Sequence, residues 1–192
     1  ILGGMPATTV RPLTPDDACA YRALRLQGIA ELPAAFCTTH AAESAVPLAQ
    51  IAERLRTTPH QIMFGAFAGP QLLAIAGLRR EPIAVLHDKA SLWGIYVAPP
   101  ARGQGTGRQL VQAAITHACA VPELALLRLA VAHDNHAALK LYLRCGFTLA
   151  SEQVRLDMLQ MQFLLPRPAQ AGVADAKNNV FMKINTLQIL AK

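Results

Sequence analysis

One stretch constrains the fold of this 192-residue chain more than any other: LWGIYVAPPARGQGTGRQLVQAAI, residues 92–115. Its apolar opening, Leu92 to Val97, reads as a strand that stops at Pro99-Pro100, because proline cannot donate to a ladder. Gly107, Leu110, Val111, Ala114 and Ala118 then share one face of a helix that ends before Pro122. Arg102-Gly103-Gln104-Gly105-Thr106-Gly107-Arg108 joins the two. A helix N-terminus presents unpaired N–H groups and the positive end of a dipole, and together these bind phosphate. Glycines allow close approach to a pyrophosphate and positive φ where it is needed. The Thr106 hydroxyl adds a candidate hydrogen bond, but the functional groups of such a loop are mainly backbone.

Taken alone, the loop leaves several readings open. A Walker loop needs Lys-Ser or Lys-Thr after its last glycine, and here Arg108-Gln109 follows. A dinucleotide fingerprint needs a third glycine where Arg108 stands, and belongs near the first strand. A glycine-rich surface turn also fits.

The rest of the chain predicts alternating elements. Thr8 to Leu13 reads as a strand, and Asp16-Asp17 suits the start of a helix that runs to Pro33. Leu48, Ile51, Ala52 and Leu55 have helical spacing, and Gln61–Ala68 and Leu72–Arg80 form a hairpin about Gly69-Pro70. Leu124 to Val131 is nearly all apolar, which predicts a strand covered on both faces. A last helix spans Asn135 to Arg144 and ends at Cys145-Gly146, with strands expected around Phe147–Gln153 and Leu156–Leu165. The predicted order is β-α-α-β-β-β-α-β-α-β-β.

Composition excludes other classes. With 53% apolar and 16% charged residues the chain is not a disordered one, and its length suits a single domain, read as residues 5–167. No apolar run approaches the ~20 residues that cross a bilayer, and ILGGMPATTV has no signal-peptide pattern, so a soluble cytoplasmic protein without membrane partners is expected. Met5 reads as the natural start behind a cloning remnant. Cys19, Cys37, Cys119 and Cys145 form no CxxC pair and the six histidines no HExxH, so reduced thiols and no metal are expected, with Cys37 a spectator in a loop. The net charge of +6 includes Arg167, Lys177, Lys183 and Lys192 against Asp175, and no Lys/Arg run with interleaved aromatics marks a nucleic-acid partner. Three of the four asparagines and three of the five lysines lie in residues 168–192, read as a flexible or added tail.

Two motifs together go further. LWGIYVAPPARGQGTGRQLVQAAI resembles the main signature of the GNAT N-acetyltransferase superfamily, in which an R/Q-x-x-G-x-G/A segment, here Arg102, Gly105 and Gly107, follows the fourth strand. NHAALKLYLRCGF matches its second element at Asn135, Ala138, Leu141, Tyr142, Gly146 and Phe147. PAAF, residues 33–36, is similar to the first interhelical loop of many members. The resemblance covers about Thr8 to Leu165 and not the tail.

It implies an α/β (α+β) fold: a mixed sheet of about seven strands, flanked by about four helices and splayed between strands 4 and 5. It also implies acetyl-CoA as cosubstrate, an amine acceptor and an N-acetyltransferase activity, and it leaves a homodimer open. Backbone groups of Ile95, Tyr96 and Val97 would then bind pantetheine, while Arg102, Gly103, Gln104, Gly105, Thr106, Gly107 and Arg108 cradle the pyrophosphate. Gly94, directly before Ile95, is compatible with a bulge. Tyr142 is placed as the general acid toward the CoA sulfur, although helical spacing with Ala138, Leu141 and Cys145 also suits a core aromatic. Asn135 would contact pantetheine, cap its helix, or both, and Ala137 and Ala138 would leave room for the cofactor arm. Many relatives place a glutamate early in the fourth strand, where this chain has Ala90-Ser91-Leu92-Trp93. His87, Asp88 and Glu43 are candidate substitutes acting through water, each also readable as a solvated surface residue. No base is nominated. A CoA-binding module without turnover is the alternative function.

Overall fold

A computed structural model describes residues 8–80, 87–150 and 157–166. Seven strands form one mixed sheet: β1 (Thr9–Pro12), β2 (Gln61–Ala68), β3 (Gln71–Arg80), β4 (Lys89–Val97), β5 (Leu126–Ala132), β6 (Thr148–Leu149) and β7 (Met158–Leu164). The helices are α1 (Ala18–Glu31), α2 (His40–Ser44), α3 (Leu48–Arg54), α4 (Thr106–Cys119) and α5 (His136–Arg144). The strand order is β1-β2-β3-β4-β5-β7-β6, antiparallel except for the parallel β4–β5 pair.

The expected architecture is present, with one helix more than expected. Thr39 caps α2 by accepting a 3.1 Å bond from the Ala42 N–H, a local device in a stretch too short to show helical periodicity. At the start of α1 the two aspartates stand in a 3-10 turn, Pro15–Asp17. Asp17 accepts two 2.8 Å bonds from Arg11 and a third from the Thr14 N–H, and these hold its carboxyl down at about 2. β4 begins at Lys89 rather than Leu92 because Ala90 is bracketed by Arg80 and Leu127, and paired neighbours override weak local propensity.

Both faces of the sheet are covered. Alternation in β2 sends Ile62, Phe64 and Ala66 into the core under α4 and α5, and Met63 and Phe67 into the core under α1 and α3. The expectation for β5 needs correction. Leu126, Leu127, Leu129 and Val131 are buried, but Ala130 is exposed, because α1 packs mainly on β3 and β4. The expected strand end at 151–153, Leu156 and the tail at 168–192 lie outside the described residues. Among the described residues no helix is long and apolar enough to cross a membrane, no cluster of metal-ligating side chains occurs, and the four cysteines are free thiols.

Candidate functional site

Two irregularities in the sheet define the site. The first is a register shift in β4. Ile75 faces Tyr96 and Gly77 faces Trp93, so Ala76 alone stands opposite Gly94 and Ile95. That is a bulge, and Gly94 takes φ 60°, a conformation that costs other residues dearly. The extra residue flips the alternation, so Leu92 is followed by Ile95 and Val97 on the α4 face, while Trp93 is followed by Tyr96 and Ala98 on the α1 face. The second irregularity is a splay. β4 and β5 pair only at Lys89–Leu126, Ala90–Leu127 and Ser91–Arg128, although both strands continue. Beyond Ser91 the β5-facing backbone groups of β4 lack a ladder partner in β5, and the turn Pro33–Ala35 also contacts β5.

The loop after β4 leads away from this wedge. Residues 102–105 are all exposed, with Gly103 at φ 73° and Gly105 at φ 82°, and no atom lies within 4 Å of where a Cβ would stand on either. Gly105 is the N-cap of α4 and offers no side chain to its first turn. The next residue, Thr106, is 1% exposed, and its Oγ1 has no hydrogen-bond partner among the described residues. Gly107 differs from its neighbours: a Cβ there would come 3.1 Å from Leu141, so its small size serves the packing of α4 on α5. Arg108 is exposed, and Gln104 donates to the Pro100 carbonyl at 2.7 Å.

On α5, Asn135 is the N-cap, its Oδ1 accepting from the Ala138 N–H at 3.1 Å. Ala138 packs against the core of this face. Tyr142 is 6% exposed and lies 6.0 Å from the Phe147 ring, centroid to centroid. Burial raises its phenol far above the ordinary value, so the hydroxyl stays protonated and available as a donor.

The acetyltransferase (GNAT) family model matches residues 26–147, more than half of the chain. The chain belongs to the GNAT acetyltransferase family. Its fold matches a GNAT-family acetyltransferase from Streptococcus pneumoniae at 20% identity, with a TM-score of 0.71 over 83% of this chain and 100% of that one. A ribosomal-protein-alanine N-acetyltransferase from Brucella melitensis matches at 25% identity and a TM-score of 0.69, over 82% and 99% of the two chains. PaiA N-acetyltransferase from Thermoplasma acidophilum, solved in complex with coenzyme A, matches at 18% identity and a TM-score of 0.64, over 81% and 98%. No curated protein matches in sequence.

This GNAT chain also brings to the candidate site residues that its motifs do not mark. One face of α1 runs along β4. Arg25 lies beside Trp93 and Gly94, Gly28 lies against Tyr96, and Glu31 reaches Tyr96 and Arg102. A Cβ on Gly28 would stand 2.9 Å from the Tyr96 ring, so this glycine admits the aromatic. The Tyr96 hydroxyl donates to Glu31 at 2.6 Å, and the other Glu31 oxygen takes Arg102 at 2.6 Å. Burial and then the bond to Glu31 push the Tyr96 phenol up to about 12, while Tyr96 and Arg102 lower the Glu31 carboxyl. Arg102 Nε donates to the Val97 carbonyl at 2.9 Å, so the motif arginine is tied to strand and helix at once.

Glu43 is not the solvated surface residue that the sequence reading allows. It is 3% exposed, and its Oε1 accepts from Arg25 at 2.9 Å and from Arg54 at 3.0 Å. His87 and Asp88 precede the closed end of β4; at ~3.3 Å per residue Asp88 is about 23 Å along the strand from Ile95. The i, i+3, i+6 spacing of Arg25, Gly28 and Glu31 was available in the sequence, but nothing local says which strand such a face meets.

Proposed function

We propose that this chain is an acetyl-CoA-dependent N-acetyltransferase that acetylates a primary amine on a small molecule or a protein N-terminus. One observation carries the reading: the bulge, the splay and the open glycine loop lie in succession along β4 and into α4. The residues present fit the cosubstrate. Gly103 and Gly105 leave backbone N–H groups uncovered at a helix N-terminus, and the orphan Thr106 hydroxyl adds a buried donor at its first turn.

Acetyl-CoA supplies an activated acetyl thioester, whose carbonyl oxygen gathers charge and whose sulfur leaves as a thiolate when an amine attacks. The chain's own part is positional. Backbone groups of Ile95, Tyr96 and Val97 bind the pantetheine arm in the wedge and turn an N–H toward the developing oxyanion. Residues 102–108 hold the diphosphate, and Asn135, already fixed as a cap, directs its amide toward the arm beside the small Ala138. Tyr142, kept neutral by burial, protonates the departing sulfur, while the amine loses its proton to water and water returns one to the phenol. The acceptor enters past the Pro33–His40 connection, which lines an open pocket of about 500 Å³.

The test follows free CoA while a panel of primary amines and N-terminal peptides is offered, with acetyl-CoA binding measured by calorimetry. Tyr142→Phe keeps the ring and removes the hydroxyl. Since a CoA thiolate leaves readily, kcat should fall about ten- to a hundredfold with acetyl-CoA affinity held, near the low end for general acid catalysis. A parent-like rate, with chemistry limiting, makes Tyr142 a packing residue. A non-catalytic CoA-binding module is the second reading, favoured by the engagement of Glu43 with two arginines. Acetyl-CoA binding without turnover of any amine would select it.

A further inference from the structure

Resting on that acetyl-transfer reading, we propose that Arg25 and Trp93 form an anion subsite for the acceptor, and that the chain acetylates small amines carrying a carboxylate. Three buried side-chain polar atoms are without a hydrogen-bond partner among the described residues: Thr106 Oγ1, Arg25 Nη1 and Trp93 Nε1. Native interiors leave few such atoms, and each calls for a partner. The first belongs to the phosphate loop. The other two are both donors and lie together, with the Arg25 guanidinium carbon 5.6 Å from the Trp93 ring centroid. Arg25 Nη1 marks the bulge, since a Cβ on Gly94 would stand 3.4 Å from it, while Trp93 Nε1 lies one strand over, 2.7 Å from where a Cβ on Gly77 would stand.

Charge at this place is unbalanced. Glu43 Oε1 serves both Arg25 and Arg54, so one carboxylate faces two guanidiniums. The Arg54 side chain is 42% exposed and water solvates its surplus charge, whereas the Arg25 side chain is 9% exposed. The buried Tyr21 hydroxyl also interacts with this guanidinium but leaves Nη1 without a partner, and the flanking Phe36 and Trp93 rings offer no acceptor oxygen. A guanidinium edge, with an indole N–H on the neighbouring element, suits a planar carboxylate. Glu43 offsets part of the positive charge, so a monoanion fits better than a phosphate dianion. The route is also on the page. Phe36 lines the open pocket and lies 5.2 Å from the Arg25 guanidinium, so an incoming carboxylate displaces that ring to reach Nη1. Seated there, its neighbouring amine stands at the bulge, where the acetyl carbonyl is held.

The experiment measures CoA release with the free amino acids and with short ω-amino acids, each against its amide and its decarboxylated amine. The acids should exceed their amides by at least tenfold in kcat/KM. That ratio should collapse in Arg25→Gln and fall in Trp93→Phe, with acetyl-CoA affinity unchanged in both; Arg25→Lys should keep part of it. If Arg25→Gln does not fold, Trp93→Phe, which loses the N–H and keeps an aromatic ring, carries the test alone. Equal use of acids and amides by the parent protein overturns the subsite, and so does turnover of peptides but of no amino acid, which leaves acetyl transfer standing. No turnover of any amine overturns the transfer reading and this one with it.

Discussion

Two carboxylates on the α1 side of the sheet hold arginines in opposite ways. Glu43 is 3% exposed and accepts from Arg25 and Arg54, while the Glu31 side chain is 33% exposed and serves Tyr96 and Arg102. The first is buried. The second stands at the mouth of the candidate phosphate loop, where the Arg102 side chain is 44% exposed. The same chemical pair is therefore an architectural element in one place and a breakable contact in the other. Water decides between them, because desolvation makes a buried charge dependent on its partner and solvent makes an exposed one nearly indifferent to it.

The largest effect should come from Glu43. Glu43→Ala leaves the Arg25 guanidinium buried with no counter-charge, and breaking a buried pair in this way costs about 3–5 kcal/mol. Denaturant unfolding should show that loss. Arg54→Ala, which removes the exposed partner and leaves Arg25–Glu43 intact, should cost under ~1 kcal/mol. Similar losses in the two variants would break the contrast.

The glycines of the loop sharpen it from the other side. The family pattern treats Gly105 and Gly107 alike, but only Gly105 has open space about its Cβ position and a positive φ. Gly105→Asp should reduce acetyl-CoA affinity more than tenfold, at least ~1.4 kcal/mol, by placing a carboxylate where the pyrophosphate is proposed to sit, with a melting temperature no lower than that of Gly105→Ala, which carries the same positive-φ strain. Gly107→Asp should chiefly lower the melting temperature, since its Cβ meets Leu141. Calorimetry and thermal melts on both variants separate the roles, and unchanged affinity in a folded Gly105→Asp would remove the loop from the site.

How far such distinctions were legible in the sequence depends on their range. The strand, glycine loop and helix around Arg102 follow from local rules, and so does the Gly94 bulge, because a glycine inside an apolar strand has few other uses. The motif from Asn135 to Phe147 located α5, and its first residue is indeed the cap. What stayed hidden depends on tertiary contacts. Glu43 read as a surface residue because burial by Arg25, 18 positions away, leaves no periodic trace. Glu31 drew no notice because its partner Tyr96 is 65 positions away. The presence of α2 and the exposure of Ala130 on β5 were equally invisible, the one set by a single cap and the other by where α1 packs on the sheet.

The smallest effect expected is at Glu31, and its sign is informative. Arg102 is held by Glu31 on one side and by the Val97 carbonyl on the other. If diphosphate competes with Glu31 for that guanidinium, Glu31→Gln should release Arg102 and remove a negative charge from the mouth of the loop. Acetyl-CoA affinity should then rise about two- to fivefold at low ionic strength. The gain should fade as added salt shortens the screening length below ~10 Å. The glutamine still offers Tyr96 an acceptor, so the melting temperature should not move measurably. A fall in affinity would reverse the picture, because Glu31 would then be presenting Arg102 to the ligand rather than withholding it. Titrations of parent and variant at two salt concentrations decide between these outcomes, and a drop in stability comparable to that of Glu43→Ala would show that exposure does not separate the two carboxylates.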